Sequence, residues 1–92
     1  MRLISQDGKF DIPYDEIVVE LFEECVVGRL KEYIGRDIIL GSYSTKEKAQ
    51  KAMEMLRQKY KDYAKATNKS NFFTMFDYPK VFQFPQDEDV EV

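Results

Sequence analysis

Apolar residues recur at spacings of three and four between residues 44 and 66, which is the period of one face of an α-helix. Ser44 opens this stretch and Glu47 follows three residues later. The pair matches a capping box, in which the hydroxyl and the carboxylate each bind a backbone amide at the helix start. The pattern predicts one long amphipathic helix that begins at Ser44. Its apolar face consists of Ala49, Ala52, Met53, Leu56, Tyr60 and Tyr63.

Shorter segments that are rich in β-branched residues or alternate in polarity predict strands on both sides of this helix. Asp7 and Gly8 give a turn signal between the first two segments, and Glu23 and Glu24 separate the third from the fourth. The predicted strands span residues 2–6, 10–12, 16–22, 25–30, 37–43 and 80–84. Together the elements predict an α+β fold, with a small antiparallel sheet packed by one long helix and a C-terminal strand.

Residues 15–26 also fit a second interpretation, an amphipathic helix. At about 100° per residue, the carboxylates of this segment gather on one side and its apolar residues on the other. Against a helix stand the pairs Val18-Val19 and Val26-Val27, whose χ1 freedom a helix restricts, and Gly28, where the pattern fails. We favour the strand interpretation and keep the helix as the alternative.

Length and composition indicate a single domain. With 92 residues, of which 43% are hydrophobic, the chain can bury one small core. We expect the domain to span residues 1–86 and an acidic, flexible tail to occupy residues 87–92. The single cysteine, Cys25, excludes an internal disulfide and favours a reducing cytoplasm. No stretch reaches the roughly 20 apolar residues of a membrane span, so we expect no membrane partner.

Charge is segregated along the chain. Residues 1–44 carry five basic and nine acidic groups, residues 45–69 carry eight and three, and residues 70–92 carry one and five. The predicted helix is therefore a basic element between two acidic ones, and the acidic tail offers it a partner within the same chain. Glu47, Glu54 and Asp62 are expected to interrupt a continuous basic stripe on the helix.

Aromatic residues are concentrated after the helix. Residues 72–84 hold six of the thirteen aromatic side chains of the chain. Phe82 and Phe84 alternate with Val81 and Gln83, as expected of a strand with one buried face. Residues 71–78 show no clean period, which is typical of a loop whose rings cover the core. Rings exposed together there would instead form an interaction patch.

Three segments resemble a known group of proteins. RLISQDGKFDIPY, YSTKEKAQKAMEMLR and VFQFPQDEDVEV, together about 40 of the 92 residues, are similar to small proteins encoded by phages and prophages of Gram-positive bacteria. The resemblance implies an α+β fold with antiparallel strands and one long helix, a mobile-element origin and the cytoplasm of a bacterial host cell. It supplies no catalytic motif.

The sequence contains no recognisable catalytic or cofactor site. It has no histidine, so the usual general base near neutral pH and the triads built on it cannot be assembled within one chain. Cys25 lies in an apolar run, where a thiol is typically a small buried hydrophobe. Adjacent carboxylates such as Asp15 and Glu16 point to opposite faces of a strand. We expect a protein that is not an enzyme and uses no cofactor or metal.

These observations favour a non-catalytic protein-binding module. A small phage-type protein without chemistry is expected to act as a stoichiometric inhibitor of a host or defence factor, in the manner of anti-CRISPR proteins. We expect the contact to involve the acidic strands and the aromatic segment. The aromatic residues predicted to bind the partner protein are Phe72, Phe73, Phe76 and Tyr78.

Two alternatives remain open. A nucleic-acid-binding accessory protein would align the basic helix with phosphates, although a pI near 5.0 makes a polyanion an unfavourable partner. The residues for that role are Lys51, Arg57, Lys59 and Lys61. A self-associating structural or virion accessory protein would instead pair an edge strand, at residues 2–6 or 81–84, with a second copy of the chain.

Overall fold

The computed structural model of this chain describes residues 1–32, 37–68 and 81–92. It confirms the predicted α+β class. In the described part, strands come before and after one long helix along the chain. The strands form two three-stranded sheets rather than the single sheet that we expected. The division follows from the chain termini, which pair with each other and not with the central strands.

The first sheet joins the two ends of the chain. Its strands are β1 (Arg2–Ile4), β2 (Asp11–Pro13) and β6 (Val81–Gln83), in the order β2-β1-β6. β1 runs antiparallel to β2 and parallel to β6. The loop between β1 and β2 places Gly8 at φ +76°, a left-handed conformation that glycine adopts without steric cost.

Ser5 closes this loop. Its buried hydroxyl donates to Asp7 Oδ1 at 2.6 Å and accepts the Phe10 amide at 3.0 Å. The Lys9 amide donates to the same Asp7 oxygen at 3.0 Å. The hydrogen bond from Ser5, with that from the Lys9 amide, lowers the pKa of Asp7. The chain leaves the strand at Ser5, so β1 is two residues shorter than predicted.

The second sheet is an antiparallel meander of β3 (Ile17–Phe22), β4 (Cys25–Leu30) and β5 (Asp37–Ser42). The helical alternative for residues 15–26 is therefore wrong. Burial alternates at the start of β3, where Ile17 is buried and Val18 is exposed, and that period of two belongs to a strand. Only residues 14–16 are helical there, as a short 3-10 turn before β3.

Gly28 lets the sheet close against the helix. A Cβ at this position would overlap Ile17 Cδ1 and lie 3.0 Å from Leu40 Cδ1. A bulge in the pairing of β4 with β5, between Val26 and Val27, turns both Leu40 and Gly41 inward. The missing side chain at Gly28 thus provides the space that two core side chains fill.

The helix, α1 (Lys46–Asn68), begins two residues later than predicted. Thr45 caps it, because its Oγ1 accepts the Lys48 amide at 3.2 Å and its carbonyl accepts the Ala49 amide at 3.2 Å. The capping box assigned to Ser44 is wrong. The Ser44 amide instead donates to Asp87 Oδ1 at 2.8 Å, which holds Ser44 outside the helix.

The predicted apolar stripe of the helix covers the second sheet. Ala49, Ala52, Met53 and Leu56 are all buried, whereas Tyr60 and Tyr63 near the far end are more accessible. Residues of both sheets, and of the segments that follow β5 and β6, complete the core on the other side. These are Leu3, Ile12, Ile17, Val26, Ile38, Leu40, Tyr43, Phe82, Phe84 and Val90.

Gln6 connects the two sheets. Its backbone amide donates to the Leu40 carbonyl at 2.7 Å. Its side-chain Nε2 donates to the carbonyls of Ser42, at 3.1 Å, and Pro85, at 3.0 Å. Its Oε1 accepts the Ser42 amide at 3.0 Å. The side chain therefore pairs with β5 as a backbone segment would, and it covers that edge of the second sheet.

The C-terminal segment belongs to the domain at least as far as Val90. A 3-10 turn spans Asp87–Asp89, and Val90 is buried in the core. Lys48 Nζ donates to the Asp87 carbonyl at 3.0 Å and lies 3.4 Å from its Oδ2. Asp87 and Val90 thus each contact the rest of the domain, beyond the boundary that we expected at residue 86. The flexibility expected of residues 87–92 stays a prediction.

Candidate partner-binding face

The second sheet has one face against α1 and one face turned away from it, which we call the outer face. Register places Val18, Arg29 and Asp37 side by side across the three strands, and Glu20, Val27 and Ile39 in the next row. Phe22 follows on β3, beyond Glu20. The outer face therefore consists of Val18, Glu20, Phe22, Val27, Arg29, Asp37 and Ile39.

Apolar side chains on the outer face are strongly exposed. Phe22 is 65% exposed, Ile39 61% and Val18 46%, and Val27 lies half-buried between β3 and β5. Single exposed apolar residues are common on protein surfaces, but several on one small sheet face form a patch. Such patches mark contact sites for other molecules.

Arg29 lies among these apolar residues and bridges the two neighbouring strands. Its Nη2 is 2.9 Å from Glu20 Oε1, and its Nε is 3.2 Å from Asp37 Oδ1. All three side chains are about half exposed, so each pair adds little to stability. One cation against two carboxylates leaves the face acidic, and the turn residues Glu23 and Glu24 add two further carboxylates at its end.

These side chains surround a depression of about 370 Å³ on the outer face. Phe22 and Ile39 supply its apolar wall, and the ion pairs of Arg29 supply its polar wall. Concavities with an apolar surface and a few oriented polar groups are typical binding sites. The volume of the depression is large enough to take a side chain of another protein.

Cys25 stands at the border of the outer face. It is half-buried, and its Sγ lies 3.8 Å from Ser42 Oγ on β5. The prediction of a buried thiol is thus met only in part. Because Cys25 pairs with Phe22 across the hairpin, a label on this thiol would project beside the most exposed ring of the face.

The predicted aromatic contact residues Phe72, Phe73, Phe76 and Tyr78 lie outside the described residues. Two other members of the aromatic cluster are described. Phe82 and Phe84 are buried, with ring centroids 5.1 Å apart in an edge-to-face arrangement. These two rings therefore belong to the core, as the alternation of the strand predicted.

The four cations proposed for phosphate binding do not form one stripe. Lys51 lies 3.9 Å from Glu54 on the solvent side of the helix, and Lys61 is exposed. Arg57 lines a cavity towards β3, whereas Lys59 lies on the opposite flank, beside β6.

The cavity beside Arg57 has a volume of about 340 Å³ and is also lined by Lys31 and Tyr14. The Tyr14 ring stacks on Tyr60 with centroids 4.7 Å apart. Burial raises the pKa of Tyr14, and the neighbouring Tyr60 adds to this effect. Two cations and a tyrosine wall give this cavity a chemistry different from that of the outer face.

Within residues 1–32, 37–68 and 81–92, no three or more His, Cys, Asp or Glu side chains form a group that could hold a metal ion. In the same part of the chain, no helix combines the length and the apolar character needed to cross a membrane.

The outer face was not identified from the sequence. Its residues lie in strands that were predicted correctly, but hydrophobic residues follow one another in β3 and β5 instead of alternating with polar ones. The one available signal was this doubling, as in Val18-Val19 and Ile38-Ile39. When a strand has apolar residues on both sides, either both of its faces are buried or one apolar face is exposed to solvent.

Comparisons with protein-family models, with curated proteins and with solved structures found no significant match to this chain.

Proposed function

We propose that this protein is a non-catalytic protein-binding module that contacts its partner through the outer face. The observation that carries the proposal is the exposure of Phe22, Ile39 and Val18 around the ion-paired Arg29. Exposed aromatic and aliphatic residues grouped with an arginine match the residue types that are enriched in protein interfaces.

The partner that fits this face presents apolar side chains together with basic ones. The excess of carboxylates over Arg29 attracts cations, and complementary charge speeds association and excludes wrong partners. A second copy of the chain is disfavoured as a face-to-face partner, because Glu20 and Asp37 would then face their own counterparts.

The biological role follows from the sequence resemblance. Small phage and prophage proteins of Gram-positive bacteria suggest a stoichiometric inhibitor of a host or defence factor, acting in the cytoplasm of the host cell. The aromatic residues Phe72, Phe73, Phe76 and Tyr78 remain a predicted second part of the contact. Inhibition by occupying a surface requires no reactive group, in keeping with a chain that contains no histidine.

The test is affinity capture from a Gram-positive host lysate with the wild-type protein and a variant carrying Val18→Thr, Phe22→Thr and Ile39→Thr. Threonine keeps β propensity but removes apolar surface, so the fold should persist while capture of the partner is lost. The matched control is Val81→Thr, because Val81 on β6 is 45% exposed, close to the 46% of Val18. This control should capture the partner like the wild type.

Alkylation of Cys25 provides a second test on the wild-type chain. A bulky maleimide adduct beside Phe22 should block capture, and a Cys25→Ser variant treated in the same way should not respond. Equal capture by the wild type and by the triple variant, with unchanged thermal melting of both, would overturn the proposal. Salt-sensitive gel shifts with DNA or RNA that depend on Lys51 and Lys61 would favour the nucleic-acid alternative.

A further inference from the structure

β3 is an open edge of the second sheet. A two-residue turn, Glu23 and Glu24, joins β3 to β4. Phe22 and Cys25, which flank this turn, therefore exchange backbone hydrogen bonds. Alternation along the strand then directs the backbone groups of Glu20 and Val18 towards β4. A bond of 3.1 Å from the Lys31 amide to the Glu16 carbonyl continues the same alternation past the end of the strand.

The intervening residues direct their backbone groups away from the sheet. In this register the amides and carbonyls of Val19 and Leu21 point to the edge, and no residue of the described segments pairs with them. The Ile17 amide is already bound to the Tyr14 carbonyl in the 3-10 turn. The backbone donors and acceptors left for another strand are therefore those of Val19 and Leu21.

This edge lacks the features by which proteins usually protect an exposed strand. β3 is six residues long, contains no proline or lysine, and pairs with β4 without a bulge. Two of its apolar side chains are accessible as well, since Leu21 is 38% exposed and Phe22 is 65% exposed, and Glu20 is its one charged residue. An edge of this kind is a template for pairing with another strand.

The charges around β3 select the strand that can pair with it. Residues 15–24 carry five carboxylates and no cation. Antiparallel pairing of two copies of β3 would set the acidic end at Glu23 and Glu24 against the acidic end at Asp15 and Glu16, and like charges placed opposite each other destabilise a sheet. A strand with an apolar centre and lysine or arginine at both ends would instead meet complementary charge at each end.

We propose that β3 binds its partner protein by strand addition, taking up an extended segment with alternating apolar residues and basic residues at both ends. The inference rests on the proposed function and specifies how the partner docks. The added strand pairs with the amides and carbonyls of Val19 and Leu21, and its side chains continue the outer face beyond Phe22 and Val18.

The size of the outer face supports this mode of binding. Three strands of six residues cover a footprint of roughly 300 Å² at normal strand spacing. A standard protein interface takes about 800 Å² from each partner. A strand added at β3 extends the contact with main-chain hydrogen bonds where the face itself ends.

The first experiment repeats the affinity capture with Leu21→Pro and its matched control Leu21→Ala. Proline removes the outward amide and is tolerated on an edge strand, whereas alanine keeps the amide and removes more of the side chain than proline does. We expect Leu21→Pro to weaken capture by about tenfold or more and Leu21→Ala to change it far less. Full capture by Leu21→Pro, with loss of capture by the outer-face triple variant, would overturn strand addition and leave the proposed function standing.

The second experiment uses the wild-type chain, so it does not depend on a variant that folds. The probe is a synthetic peptide of sequence KKVTITVKK, with EEVTITVEE as its charge-reversed control, and the readout is amide hydrogen exchange by NMR. The basic peptide should slow exchange at Val19 and Leu21, while Val18 and Glu20, already bound to β4, stay unchanged.

Three results would contradict the inference. In the first, the two peptides have equal effects. In the second, neither peptide slows exchange at Val19 and Leu21. In the third, these two amides already exchange slowly before any peptide is added. The protein is then either a monomer or a dimer whose mass appears as its concentration rises. That result would mean that the chain itself, or a second copy of it, already covers the edge.

Discussion

The two faces of the second sheet carry similar residues and have opposite environments. Towards the helix, Ile38 and Leu40 are buried, whereas Ile39 between them is 61% exposed on the outer face. A sheet with one solvated face normally alternates apolar with polar residues. In this sheet both faces are rich in aliphatic side chains, so folding alone does not account for the outer set. The comparison indicates that stability depends mainly on the inner face, and recognition by the outer face is the function that we propose.

The largest difference in stability should be found between variants of two adjacent residues of β5, Leu40 and Ile39. Leu40→Ala removes a fully buried side chain and should lower the free energy of unfolding by about 2–5 kcal/mol. Ile39→Thr changes the opposite face and should cost less than about 1 kcal/mol. Urea denaturation of both variants checks the pair. Similar losses would mean that the outer face is also packed, and the comparison would then fail.

Gly28→Ala should produce the next largest effect, at the tightest point of the inner face. The added Cβ overlaps Ile17 Cδ1, and overpacking of this kind costs about 1–3 kcal/mol. Ile17→Val removes that methyl group. The double variant should therefore lose less stability than the sum of the two single losses. Additive losses in a double-mutant cycle of denaturation free energies would show that the overlap is not the cause.

The helix that covers the inner face should depend on Thr45 and not on Ser44. Thr45→Ala removes the side-chain acceptor of the Lys48 amide and should cost about 0.5–2 kcal/mol. Ser44→Ala leaves its backbone bond to Asp87 in place and should cost less than about 0.5 kcal/mol. Thermal melts of the two variants distinguish them. The reverse order would return the cap to Ser44.

The smallest effect should be a pH dependence at the same helix end. The hydrogen bond from the Ser44 amide lowers the pKa of Asp87, and Lys48 adds to the shift. A carboxyl whose pKa is lowered on folding stabilises the fold above its ordinary pKa near 3.8, and this stabilisation is lost as the pH falls through the lowered value. Asp87→Asn should therefore melt below the wild type at neutral pH and approach it in acid. The exposed neighbour Glu88 serves as the control, because Glu88→Gln makes the same change of charge and keeps the acceptor of the Ser44 amide.

Local patterns in the sequence determined the elements and much of the core. Spacings of three and four placed Ala49, Ala52, Met53 and Leu56 on one buried face, because a helix repeats every 3.6 residues whatever surrounds it. Runs of β-branched residues placed β3 and β4 to within one residue. Alternation likewise assigned Phe82 and Phe84 to the core. These features depend on neighbours a few residues apart, which the sequence shows directly.

Contacts between distant residues decided the rest. Ser44 loses the cap because Asp87, forty-three residues away, binds its amide. The last turn joins the domain because Val90 reaches the core. Which aliphatic residues of β3 and β5 face the helix could not be read from strands that are apolar on both sides. The open edge at Val19 and Leu21 exists only because β4 takes the other side of the strand and no described residue takes this one. Hydrogen bonds and burial of this kind depend on which segments meet, and the tertiary structure alone determines that.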